Sequence, residues 1–149
     1  MLTSSNAERF RPVPVNMSTR ALLNRFLAAY AARDAHAAAS LYATDGSHRE
    51  VATGQERIGV DDIEAGLAQF MCCFPDATWT TKRVIVEANT AAVAYVLTGT
   101  LSARLGPFTP DGQRLELEGV HVVEVSDGLI RATVDYWDTG TFARQMAPN

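Results

Sequence analysis

RLELEGVHVVEV, residues 114–125, alternates without a break. Leu115, Leu117, Gly119, His121, Val123 and Val125 fall on one side of an extended chain, and Glu116, Glu118 and Glu124 on the other. A period of two with one apolar side predicts a strand lying over a core. The same kind of sequence flanks it on both sides. Residues 78–87, 91–104 and 129–137 are rich in Val, Thr, Ile, Tyr and Trp, and the breaks between the four segments hold Asn89, Gly106-Pro107, Asp111-Gly112 and Asp127-Gly128. Four long strands joined by turns are therefore expected from Thr78 to Trp137.

Upstream of Pro75 the period is helical. Ile63, Leu67, Phe70, Met71 and Phe74 recur at i, i+4, i+7, i+8 and i+11, which predicts an amphipathic helix over 59–74 stopped by Pro75. Leu22, Leu23, Phe26, Leu27, Tyr30 and Ala31 mark another, capped by Ser18 or Thr19 and running to about Arg33. Asp34 is placed to cap a short alanine-rich helix over 35–42, which Asp45-Gly46 would close. A short strand near 47–52 is expected at the sheet edge. Residues 1–17, with Pro12 and Pro14 and no apolar period, read as a flexible arm, and 147–149 as a tail. The expected fold is a single α+β domain over 18–146: three N-terminal helices packed on a strongly bent, mainly antiparallel sheet.

Composition narrows the function. The chain has 149 residues, 47% of them apolar, and 13 Lys plus Arg against 17 Asp plus Glu give a formal charge of -4. That suits one globular domain with a true core and excludes collagen-like, disordered and disulfide-scaffold classes. No apolar run approaches the roughly 20 residues of a membrane helix, and the first 16 residues lack a basic-then-apolar leader pattern, so a cytoplasmic protein is expected. No basic cluster exceeds Lys82-Arg83, which argues against nucleic-acid binding. The adjacent Cys72 and Cys73 make neither a redox pair nor a zinc half-site and read as reduced thiols in or near the core.

Two residues stand out chemically. His121 lies on the apolar face of its strand, where an imidazole is either a satisfied core group or an acid/base group. Asp135 sits mid-strand, where aspartate is disfavoured, in phase with Leu129, Arg131, Thr133 and Trp137. The pattern leaves open whether that face is inward. If it is, desolvation beside Trp137 raises its pKa and makes it competent to take and return a proton. His48, Arg49 and Glu50 could form a polar edge. Trp79, Tyr95 and Trp137 could line a pocket or fill the core, Tyr30 and Tyr42 fit helix-to-sheet packing, and His36 reads as surface. The three histidines make no ligand pair at helical spacing, so no metal is expected, and the absence of G-x-S-x-G, Walker and dinucleotide glycine patterns points to cofactor-free acid/base work.

The order Phe26-Leu27-Ala28-Ala29-Tyr30, Arg33-Asp34, Leu41-Tyr42-Ala43-Thr44-Asp45, Phe74-Pro75-Asp76, Thr98-Gly99-Thr100, Asp127-Gly128-Leu129-Ile130 and Tyr136-Trp137-Asp138, then Arg144-Gln145-Met146, resembles the SnoaL-like polyketide cyclases of the nuclear transport factor 2-like superfamily. The resemblance runs from about Leu22 to Met146. It implies a cone-shaped α+β barrel, a homodimer formed through outer sheet faces, and a deep apolar cavity. It also implies that Asp135 is the general acid/base of an intramolecular aldol closure on a small aromatic polyketide-like substrate, with His121 assisting. The pocket would then draw on Phe26, Tyr30, His48, Glu50, Trp79, Tyr95 and Trp137. Leu101 departs from the histidine that family members often carry after the Gly-Thr of the second long strand.

Relatives of the same superfamily widen the choice. Some hydroxylate aromatic polyketides. Ketosteroid isomerases pair a helix tyrosine with a strand acid and a carboxylate base, for which this chain offers Phe26, His121 and Glu50, so the tyrosine hydroxyl is missing. The Arg-x-Asp pair of limonene-type epoxide hydrolases has no counterpart at Ser102-Ala103-Arg104. A non-catalytic small-molecule-binding dimer module remains the reading from outside enzymology.

Overall fold

The structure, a computed structural model, describes residues 15–148, with side chains from Thr19 onward. Helix α1 (Val15–Ala31) and the short α2 (Ala35–Ala39) lead into strands β1 (Tyr42–Glu50) and β2 (Gln55–Ile58). Helix α3 (Val60–Cys73) follows, then β3 (Thr78–Glu87), β4 (Thr90–Thr100), β5 (Arg114–Ser126), β6 (Leu129–Trp137) and helix α4 (Thr139–Met146). The six strands form one mixed sheet in the order β2-β1-β6-β5-β4-β3, antiparallel throughout except for the parallel β1–β6 pair. The α+β class expected from the sequence is the one found.

The strand faces follow the alternation. Leu115, Leu117, His121, Val123 and Val125 of β5 are buried while Glu116, Glu118 and Glu124 are exposed. Helix α1 lays Leu22, Leu23, Phe26, Ala29 and Tyr30 on the concave side of the sheet, and α3 adds Ile63 and Met71. Asp34 caps α2 by accepting the Ala37 N–H at 2.9 Å. Phe74-Pro75-Asp76 and Thr98-Gly99-Thr100 meet in space, where Asp76 Oδ1 accepts the Thr100 N–H at 2.8 Å and so ties the end of α3 to the end of β4. His36 is exposed, as expected, and pairs with Glu64 at 3.0 Å.

Several expectations need correction. Helix α1 already includes residues 15–17, assigned to the arm from sequence; residues 1–14 of that arm lie outside the described residues. Helix α2 stops at Ala39, and Tyr42 opens a strand instead of closing a helix. Asp45-Gly46 lies inside β1, where the pairing with β6 jumps from Tyr42↔Ile130 to Ser47↔Ala132, so a turn-like dipeptide marks a strand irregularity. That strand is not at the edge, because β2 covers it. Strand β4 ends at Thr100, four residues early. Only Cys73 is buried; Cys72, one helical step round, faces solvent.

Strand β2 and helix α4 were not expected at all. The sequence QERI of β2 is too short and polar to show a period. Helix α4 begins with Thr-Gly-Thr, yet Asp138 caps it through the Thr141 N–H at 2.8 Å. Its end is held by Gln113, whose buried amide donates to the Met146 carbonyl at 2.9 Å, and by Gln145, which exchanges hydrogen bonds with the backbone of Glu116. Among the described residues no helix is long and apolar enough to cross a membrane.

Candidate active site

His121 and Asp135 are cross-strand partners in the β5–β6 pair, so the pleat aims both to the concave side. The alternation of β6 left the direction of Asp135 undecided because the strand changes phase. Val125 pairs with Ile130 but Glu124 with Ala132, which makes Arg131 an extra residue. Ile130, Thr133 and Asp135 are thereby all buried, whereas Leu129 and Arg131 are exposed.

His121 Nε2 lies 3.4 Å from Asp135 Oδ2, and the Tyr95 hydroxyl donates to Asp135 Oδ1 at 2.6 Å. Tyr95 belongs to β4 and must cross β5 to reach that oxygen. It does so over Gly119, where a Cβ would collide with the Tyr95 hydroxyl. The imidazole is enclosed by rings: Tyr95 at 5.0 Å, Tyr30 at 5.5 Å and Phe26 at 5.8 Å between centroids.

A second hydrogen-bonded chain lies beside the first. Glu50 is the register partner of Asp135 across the parallel pair, and His48 precedes it by two residues on the same face. Glu50 accepts the Trp137 indole N–H and bonds His48 Nε2, both at 2.5 Å. His48 Nδ1 meets Thr133 Oγ1 at 2.7 Å, and that hydroxyl meets Tyr42 at 2.6 Å. Trp137 can only donate, so the carboxylate accepts twice. His48 thus bridges the Glu50 carboxylate on Nε2 and Thr133 Oγ1 on Nδ1, and the Tyr42 hydroxyl shares the same Thr133 oxygen.

Electrostatics separate the two chains. Burial alone would pull the His121 imidazole down, but the charge and hydrogen bond of Asp135, with Glu50 behind, outweigh it and hold the pKa above its ordinary value. Burial pushes Asp135 up, but His121, the Tyr95 hydroxyl and His48 together bring it below the usual carboxylate range. This reverses the rise expected from desolvation alone. Both shifts favour an imidazolium facing a carboxylate. Burial keeps the phenols of Tyr30, Tyr42 and Tyr95 protonated far above neutral pH.

Both chains open onto a cavity of about 450 Å³, within the range of small-molecule sites. Tyr30, His48, Glu50, Trp79, Tyr95, His121, Asp135 and Trp137 all line it. Phe26 does not; it lies behind His121 and packs against the ring. Apolar lining comes from Leu67 and Phe70 of α3, Leu97 of β4, Leu117 of β5 and Phe142 of α4. Sequence reasoning missed Thr133, which shares the phase of Asp135, and Gln55 and Arg57 of β2, which pair with Glu50 and His48. Donor atoms of His48, Glu50 and Asp135 lie within 4.8 Å of one another, a grouping that their sequence separation hides and that could hold a divalent cation. Each of these donors already has a protein partner, so metal binding would have to break the network described above.

A mixed sheet with helices packed against it around a cavity that holds buried acid/base groups is the architecture of the ketosteroid isomerase-like fold. The SnoaL-like domain family matches residues 23–133, and the chain belongs to that family. No curated protein matches the sequence. Among solved structures, a SnoaL-like protein named as a candidate polyketide cyclase from Jannaschia sp. CCS1 superposes with a TM-score of 0.83 at 17% identity, covering 93% of this chain and 98% of that one. A second candidate polyketide cyclase, from Silicibacter sp. TM1040, gives 0.80 at 21% identity over 91% and 99%. AclR, a candidate hydroxylase from Streptomyces galilaeus, gives 0.76 at 19% identity over 88% and 96%. At these identities the structures establish a shared fold.

Proposed function

We propose that the protein is a cofactor-independent polyketide cyclase that closes a ring of an aromatic polyketide by intramolecular aldol addition, with Asp135 as proton-transfer group and His121 as its partner. The observation that carries this reading is Asp135, a residue only 7% exposed, whose carboxylate lies on the cavity wall between the His121 imidazole and the Tyr95 hydroxyl. Its family relationship, and neighbours named as candidate cyclases, support the same chemistry.

The steps follow from the protonation states. Asp135 is a carboxylate at neutral pH and can remove the proton alpha to a substrate carbonyl. His121, held protonated, donates to the oxygen on which enolate charge develops. Its 3.4 Å contact with Asp135 is long for a charge-assisted bond, so a substrate oxygen can take its N–H. Losing that partner makes Asp135 more basic when substrate is in place. The enolate carbon then bonds to a second carbonyl carbon, and the resulting alkoxide recovers the proton from Asp135. Apolar walls exclude water from the enolate.

Asp135→Asn keeps the shape and one hydrogen-bond acceptor but cannot accept the proton. Its turnover of aromatic polyketides, offered both as free acids and as esters, should fall by roughly 100-fold or more while it remains folded. A variant that melts far below wild type, from a wild type that turns over none of the panel, would instead make the pair a structural element of a binding module.

A further inference from the structure

Arg57 of β2 is the one Lys or Arg that lines the cavity among the described residues, and the proton-transfer reading leaves it without a role. It pairs with His48 in the β1–β2 register, so the pleat aims it to the same side as His48 and Glu50. Its side chain then lies flat against helix α3. A Cβ at Gly66 would sit 2.7 Å from the Arg57 Cζ and closer still to Cδ and Nε. Glycine is a poor residue for a helix interior, and here it provides the seat for a guanidinium. One terminal nitrogen, Nη1, bonds Asp62 Oδ1 at 3.2 Å and the Asp62 carbonyl at 3.4 Å. Nε and Nη2 have no protein partner among the described residues. Thr53, Gln55 and Gln69, which share the cavity lining with it, are uncharged; Asp62 does not line the cavity, and the carboxylates that do are Glu50 and Asp135, on the inner strands β1 and β6.

We infer that Arg57, seated on Gly66, is the anchor for a carboxylate of the substrate, which is therefore a free acid and not an ester at that end. A planar guanidinium with unengaged donors recognises a carboxylate in a fixed geometry. Asp62 holds it without occupying it. The inner acids repel the same group and so fix which end of the molecule enters first. Strand β2 is two strands from β6, so the backbones that carry Arg57 and Asp135 stand at least about 10 Å apart across the sheet. This rests on the pocket reading above and specifies its substrate class.

The probes are anthraquinone-2-carboxylate and its methyl ester, with binding followed by quenching of Trp79 and Trp137, which both line the cavity. Wild type should bind the acid at least tenfold more tightly than the ester. Arg57→Gln should erase the ratio by weakening the acid alone. Gly66→Ala retains the charge and improves the helix, but its methyl group displaces the guanidinium, so the ratio should also fall while the melting temperature holds or rises. Equal affinity of wild type for acid and ester overturns the anchor and leaves the aromatic pocket standing. A preference that survives both substitutions overturns it as well. Failure to bind either probe rejects the pocket reading and this inference with it.

Discussion

Asp135 shows how two opposing effects settle at one residue. Desolvation raises its pKa, yet the facing imidazole and the Tyr95 hydroxyl stabilise the ionised form more strongly. The residue type and its mid-strand position marked it in the sequence. The direction of its pKa could not be read there, because that depends on how closely His121 approaches and on Tyr95, which stands 40 positions away, and both arrive only through folding. His121 was legible for the opposite reason: every neighbour on its face of β5 is apolar or glycine. Stability should carry the signature of the pair. The raised pKa of His121 means its contribution is whole below about pH 6.5, its unfolded value, and fades as pH climbs through the folded one. The lowered pKa of Asp135 means its share is whole above about pH 3.9 and fades as pH falls through the folded value. His121→Gln should cost on the order of 3 kcal/mol near pH 6, where the pair is formed, and progressively less in more alkaline buffer. Thermal melts of both proteins from pH 5 to 9 test this; parallel curves would refute the imidazolium–carboxylate assignment.

At the scale of elements, the pattern was clearest where one strand keeps one phase. Strand β5 does so, and its faces were assigned correctly from alternation alone. Strand β6 does not, since the extra residue at Arg131 lets Ile130 and Thr133 both point inward. Strand β1 loses its register with β6 around Asp45-Gly46, a dipeptide whose composition predicts a helix end followed by an edge strand. Helix α4 was hidden by poor helix formers, although Asp138 three residues before Thr141 was a readable capping signal. Irregularities of this kind are set by the partner strand, and a single segment does not report its partner. Gly119 is the element-level device for the site, as it lets β4 reach β6 over β5. Gly119→Ala should cost about 1–3 kcal/mol and drive the Tyr95 hydroxyl off Asp135. Tyr95→Phe should reproduce the loss of turnover, about 10-fold or more, with the sheet undisturbed. Unchanged rates in both would remove Tyr95 from the site's function.

Among the described residues the buried apolar side chains divide into two clusters. Leu22, Leu23, Phe26, Tyr42, Val93, Val123 and Ile130 form the first, under α1. Phe74, Tyr95, Leu97, Leu101, Leu115, Leu117 and Met146 form the second, toward α4. Trp79 packs against both. Phe74 is fully buried at the junction of α3, β4 and the second core, and Phe74→Ala should remove about 3–5 kcal/mol, lowering the melting temperature by on the order of 10 °C. A drop of only a degree or two in calorimetry would mean that the second core adds little to the global fold.

The cavity takes its walls from both cores. A bound molecule therefore supplies the packing that joins them, and at a hundredfold excess over its dissociation constant it adds about 2.7 kcal/mol to the folded state. Proteases act on chains that have opened. The lifetime of this protein in a cell should thus follow the supply of its ligand, with empty copies cleared first.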